Sequence, residues 1–120
     1  MKKFNLLNLE KYIKDNHLLD EERTDKFMTM LKYSGKEMLI YPGYVMKELD
    51  TTSDIVYKML RFLKDEGLIK EKYEVKCRMC STYQDTIYES FEEIPRDLEC
   101  IRCSNKVDKD EEYLVIYKIY

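Results

Sequence analysis

Four cysteines stand in two matching pairs, Cys77-x-x-Cys80 and Cys100-x-x-Cys103, with nineteen residues between the pairs. A CxxC turn brings two sulfurs onto one ion while nearby backbone N–H groups converge on them. Two such turns complete a tetrahedron of soft thiolate ligands, which suits zinc. A shell of four protein ligands leaves no position for water or substrate, so the expected chemistry is structural. The expectation is one Zn2+ per chain, held by Cys77, Cys80, Cys100 and Cys103. Two disulfides, a redox CxxC or four buried thiols are the alternatives. In a reducing compartment, paired CxxC units favour the metal.

Other residue types offer less. His17 is the single histidine, and it stands in a helix-ending stretch away from the cysteines. No Ser/His/Asp or Cys/His arrangement can be built around it, and no glycine-rich phosphate loop is present. The carboxylates alternate with lysines in the manner of a solvated surface. No enzyme activity and no small-molecule substrate are therefore expected.

Charge points to partners of a different kind. The chain carries a net charge of −3, unevenly spread. Residues 1–52 are balanced, with 9 basic and 9 acidic side chains. Residues 53–80 hold 7 basic and 5 acidic ones, whereas residues 81–120 hold 5 and 10. The middle can meet phosphates, and the last third would repel them. Lys58, Arg61 and Lys64, with Lys70 and Lys72 beyond them, are the candidate nucleic-acid contacts. Asp54 and Asp65 on the same helix face argue for an ordinary solvated surface.

The elements that must position these residues can be read from periodicity. Leu6, Leu9 and Ile13 make an apolar stripe over residues 5–15, ended by Asn16-His17. Asp20-Glu21-Glu22 opens a second helix with Phe27, Met30 and Leu31 on its inner face, and Gly35 stands where a C-terminal cap would fall. Met38-Leu39-Ile40 reads as a short strand. Pro42 suits the first turn of a helix ending at Leu49. Val56, Met59, Leu60 and Leu63 recur at i, i+3, i+4 and i+7, the inward stripe of a helix over residues 53–66 that Gly67 terminates. Leu68–Val75 and Tyr113–Tyr120 read as strands that pair with each other. Thr82–Tyr88 reads as a further strand, and Ser90-Phe91-Glu92-Glu93 as a capping box. Tyr113, Tyr117 and Tyr120 are expected to pack across the sheet.

This element order is that of a winged helix-turn-helix. The fold class expected is α+β, a winged helix-turn-helix with an appended or wing-inserted four-cysteine zinc ribbon. Its parts are an N-terminal helix over residues 1–19, the winged helix over 20–76, the ribbon over 77–106 and a C-terminal strand over 107–120. The helix running into Gly67-Leu68-Ile69, followed by the two CxxC pairs, resembles archaeal relatives of the alpha subunit of transcription factor E. That resemblance implies contact with a polymerase and promoter DNA, without catalysis. Tyr73–Cys77 and Ile94-Pro95 also resemble small accessory proteins of bacterial defence loci, where such a module accompanies an effector enzyme. Ribbon knuckles often carry Pro after the first Cys and Gly after the second. Here those positions are Arg78 and Ser81, then Ile101 and Ser104. Asn105 tolerates positive φ, but Ser81 has no such neighbour, so a less regular first knuckle is expected.

The function expected is a cytoplasmic, non-catalytic adaptor docking on a protein partner, as an accessory subunit of a larger complex or defence system. The alternative is a transcriptional regulator that contacts duplex DNA through residues 53–66. A homo-oligomer is compatible with either. No run of about 18 apolar residues is present to span a membrane, and the N-terminus lacks a signal peptide's apolar core.

Overall fold

The computed structural model describes the backbone of residues 3–120, with side chains from Leu6 onward. The chain divides into two compact units. One comprises residues 1–70 with 117–120, and the other residues 71–116. The second unit is thus wider than the cysteine segment expected at 77–106, and the N-terminal helix belongs to the first unit instead of standing apart.

The first unit is helical. Helix α1, Lys3–Asp15, buries Leu6, Leu9 and Ile13. It ends where His17 turns into the left-handed region at φ 52° and Leu18 N–H reaches back to Ile13 O. Helix α2, Glu21–Lys32, starts at Asp20, whose carboxylate accepts the Arg23 N–H at 2.8 Å. Its end differs from expectation. Gly35 does not take a positive φ, because Ser34 closes the helix first. The Ser34 hydroxyl donates to Met30 O and its N–H to Leu31 O.

Strand β1, Leu39–Ile40, leads into helix α3, Pro42–Leu49, with Pro42 in the first turn. The last carbonyls of α3 are satisfied from α2. Lys26 Nζ donates to Glu48 O and Arg23 Nε to Leu49 O, both at 2.7 Å. Cations at a helix C-terminus also suit its dipole. Asp50 then turns left-handed at φ 49°. Helix α4, Ser53–Asp65, buries Val56, Met59, Leu60 and Leu63 completely, the stripe expected from their spacing. Gly67 at φ 76° releases the chain into strand β2, Ile69–Val75.

A 3-10 turn, Phe91–Glu93, and a short helix α5, Lys109–Glu112, precede strand β3, Tyr113–Ile119. The three strands form one sheet in the order β1-β3-β2. β1 is antiparallel to β3, with Leu39 opposite Lys118 and Ile40 opposite Tyr117. The architecture is α+β. Among the described residues, no helix is long and apolar enough to cross a membrane.

Three local readings change. Thr82–Tyr88 is not a strand. It pairs through isolated bridges, Lys76 with Tyr83 and Tyr73 with Tyr88, and through single bonds such as Gln84 N–H to Val75 O, without a continuous ladder. The Ser90 side chain makes no cap bond, and the Glu93 carboxylate accepts the Glu89 N–H instead. Helix α5 was not foreseen, because four residues are too few to show a period. The tyrosines of β3 divide: Tyr117 is buried, Tyr113 packs on Phe91 and Tyr73, and exposed Tyr120 lies beneath Lys70 Nζ.

Candidate metal centre

The two CxxC turns are near copies of each other. In the first, Ser81 N–H donates to Cys77 O at 2.7 Å and Cys77 N–H to Thr82 O at 2.9 Å. In the second, Ser104 N–H donates to Cys100 O at 3.0 Å and Cys100 N–H to Asn105 O at 2.9 Å. Each turn is closed by a bridge, Lys76 with Tyr83 and Glu99 with Lys106. The turn requires a left-handed residue after the second cysteine. Ser81 and Ser104 both supply it, at φ 61°. The expected irregularity of the first knuckle is therefore absent, and Asn105 is not the left-handed residue. Its use is different: Asn105 Nδ2 donates to the Cys103 sulfur at 3.3 Å, while the Thr82 hydroxyl lies 3.2 Å from the Cys80 sulfur. The residue two places beyond each outer cysteine thus steadies that cysteine's sulfur.

All four sulfurs lie within 4.8 Å of one another. Cys77 and Cys103 approach to 3.7 Å, and Cys80 and Cys100 to 3.5 Å. Four sulfurs about 2.3 Å from a central ion would stand about 3.8 Å apart in a regular tetrahedron. The spacing fits one mononuclear metal ion. It does not fit disulfides, whose sulfurs bond at about 2.05 Å, and all four cysteines are free. Cys77 and Cys100 are buried, and their partners are half-buried.

Hydrogen bonds decide which sulfurs are already prepared as thiolates. Cys100 is held down at about 6 by the Cys103 N–H, then the Arg102 N–H, with the Gln84 amide assisting. Cys80 is held below its ordinary value by the Thr82 hydroxyl and backbone N–H. At Cys77 the Cys80 N–H favours the thiolate. Burial and the adjacent Cys103 and Cys80 sulfurs outweigh it, and the thiol is pushed up to about 11.

Three residues that sequence reasoning did not single out hold the cluster in shape. Gln84 is buried between the turns. Its Oε1 accepts the Ile101 N–H at 2.9 Å, and its Nε2 donates to Thr82 O at 3.0 Å and toward the Cys100 sulfur at 3.5 Å. Glu112 is buried too. Its carboxylate accepts the Arg78 N–H at 2.9 Å and the Asp108 N–H at 3.1 Å, and its carbonyl accepts the Lys76 N–H. Lys109 Nζ donates to Ile94 O at 2.7 Å and to Phe91 O at 2.9 Å, over the face of the Phe91 ring. Lys109 and Glu112 overturn the reading of this charged run as wholly solvated. Nothing in Lys109-Asp110-Glu111-Glu112 marks which two charges turn inward.

The candidate nucleic-acid contacts do not form one open group. Lys58, Arg61, Lys64 and Lys70 are exposed. Lys72 is not: it is buried, and its ammonium pairs with Glu89. A phosphate at Lys72 would have to displace a carboxylate. His17 stands exposed in the turn after α1. Compared with protein families, curated proteins and solved structures, the chain matches none.

Proposed function

We propose that the chain is a non-catalytic zinc-binding adaptor that docks on a protein partner, as an accessory subunit of a larger complex such as a bacterial defence system. In this reading the fold is a winged helix-turn-helix whose wing carries a zinc ribbon, and the protein is cytoplasmic. The observation that carries it is the set of four sulfurs within 4.8 Å of one another. Four thiolates close the coordination shell, so the ion cross-links two turns and offers no site to a substrate. The element order and the sheet order β1-β3-β2 support the winged-helix reading. The residues present fit zinc: sulfur ligands, tetrahedral spacing and N–H groups aimed at sulfur. Iron shares that ligand geometry. The excess of acid in residues 81–120, and the pairing of Lys72 with Glu89, favour a protein partner over DNA.

Native mass spectrometry with elemental analysis tests the metal. One zinc per chain, removed by a chelator, is expected. A visible-absorbing iron centre, or two disulfides in protein kept reduced, would overturn the assignment. Affinity capture from the source cells, with crosslinking, tests the partner. A stoichiometric protein that is lost with Cys100→Ser is expected.

The exposure of Lys58, Arg61, Lys64 and Lys70 keeps the duplex-DNA regulator as the second reading. Those four contacts would give a salt slope of about −4, at roughly −0.9 per phosphate. Fluorescence anisotropy with mixed duplexes at two salt concentrations separates the readings. Tight, salt-sensitive binding abolished by Lys58→Glu with Arg61→Glu would displace the adaptor reading.

A further inference from the structure

The outward face of α4 borders a cavity of about 350 Å3 in the helical unit, lined by Tyr12, Asn16, Leu18, Lys58, Arg61, Phe62 and Asp65. That volume is within the range of small-ligand sites, ~300–1,000 Å3. Two of its lining residues are aromatic, and each turns one ring face to the other. The rings of Tyr12 and Phe62 are stacked, with centroids 4.6 Å apart and planes 16° from parallel. Its rim is charged. Lys58 and Arg61 are one turn apart on α4 and share a face, with Asp65 a further turn along.

The cations of the unit divide into paired and unpaired ones. Lys14, Arg23, Lys26 and Lys118 each pair with a carboxylate. Among the described residues, neither Lys58 nor Arg61 makes an ion pair or hydrogen bond. Arg61 and Asp65 stand four residues apart on one helix without pairing, so two cations and one anion are held separately around one opening. This is not the arrangement of a self-neutralised surface. It is complementary to a ligand that carries an anion, a planar body and a hydrogen-bond donor.

We infer that this cavity binds a nucleotide. Its phosphate lies at Lys58 and Arg61, its ring lies against the Tyr12–Phe62 wall, and an amino or hydroxyl group donates to Asp65. Guanidinium and ammonium groups are the usual partners of phosphate, and an aromatic wall stacks any base. The nucleotide comes either free or as the end of a single strand. The site uses none of the cysteines and stands whether or not the metal reading holds.

Calorimetric titration with AMP, adenosine and inorganic phosphate tests it. AMP is expected to bind below about 1 mM, with adenosine and phosphate each at least about tenfold weaker. Lys58→Gln with Arg61→Gln should weaken AMP by about tenfold or more and leave adenosine unchanged. Both side chains are exposed, so this variant keeps the fold, which circular dichroism verifies. Phe62→Leu should weaken AMP and adenosine but not phosphate, and Tyr12→Leu serves where Phe62→Leu is unstable. Lys64→Gln with Lys70→Gln, which would weaken a duplex contact, should leave AMP unmoved. A short 5′-phosphorylated single strand that binds more tightly than AMP, and is lost with the Lys58/Arg61 variant, places the source in nucleic acid; weaker binding places it in the free nucleotide. AMP binding weaker than about 1 mM, equal to that of phosphate, or unchanged by the Lys58/Arg61 variant would overturn the inference.

Discussion

Residues 1–70 and residues 71–116 reach order by different means. The first unit buries Leu9, Ile13, Phe27, Leu49, Met59, Leu60 and Leu63 almost completely, and its helices carry those residues at helical spacing. The second has a small apolar cluster in which Cys77 and Cys100 stand beside Val75, Ile94 and Val107. Most of its chain is turns and single bridges. Hydrophobic burial stabilises in proportion to apolar area, and a segment this poor in regular elements has little to bury. Two sulfur-bearing turns and a few buried polar side chains take over what packing does elsewhere. Where helical periodicity is lost, the clustered sulfurs and the buried polar ties stand in its place.

The widest test of that contrast is loss of the proposed metal. Cys100→Ser, or chelation, should disorder residues 71–116 while α1 to α4 keep their helicity, read by circular dichroism and by the dispersion of amide NMR signals. Helix lost together with the order of residues 71–116 would show one cooperative unit and dissolve the comparison. Acid should act in the same direction. The loaded site binds fewer protons than the empty one, so affinity falls as pH falls. At neutral pH the empty site holds the Cys77 proton, with its thiol at about 11, whereas Cys100 at about 6 is mostly ionised. Each thiol that must ionise adds about one log unit of affinity per pH unit. The dependence should therefore steepen as pH drops below about 6 and Cys100 also takes up its proton. Competition against a metal-sensitive dye across pH measures this.

Within the helical unit, Leu60→Ala should cost about 2–5 kcal/mol by urea unfolding, the range for a fully buried leucine. A cost near that of a surface change, about 0.5 kcal/mol, would mean α4 is phased the other way. A smaller loss is expected for Gln84→Ala, about 1–3 kcal/mol, because it leaves the Ile101 N–H without its buried acceptor. Metal affinity should fall about 10- to 100-fold in the same variant, as when an outer partner of a ligand is removed. An unchanged affinity would show that the turns need no polar tie. The smallest effect should come from Gly67→Ala, about 1–2 kcal/mol. A new Cβ there meets nothing within 4 Å, so the cost is that of φ 76° alone.

The two halves were also unequally legible. The stripe Val56, Met59, Leu60, Leu63 and the residues Pro42 and Gly67 located α3, α4 and their ends, because a helix writes its packing face into its own spacing. The cysteines were equally plain, since ligand type and CxxC spacing are local properties. The left-handed turns at Ser81 and Ser104 were not, because serine carries no preference for that conformation; closure of the turn on its own cysteine carbonyl imposes it. Likewise Thr82–Tyr88 has a strand's composition but meets its neighbour only at scattered points, Tyr73, Val75 and Lys76, so no ladder forms.

The amino-acid sequence by itself therefore determined α1 to α4, the two long strands and the two cysteine pairs, each encoded by residues near one another in the chain. The tertiary structure alone decided which polar side chains turn inward. Gln84 reaches Ile101, seventeen positions on, Glu112 reaches back to Arg78, and Lys109 reaches Phe91 and Ile94. Lys72, equivalent in composition to Lys70, is buried against Glu89 while Lys70 stays in solvent. A charged residue's side of the surface depends on whether a distant acceptor is in reach to repay its desolvation, and only the folded chain brings that acceptor near.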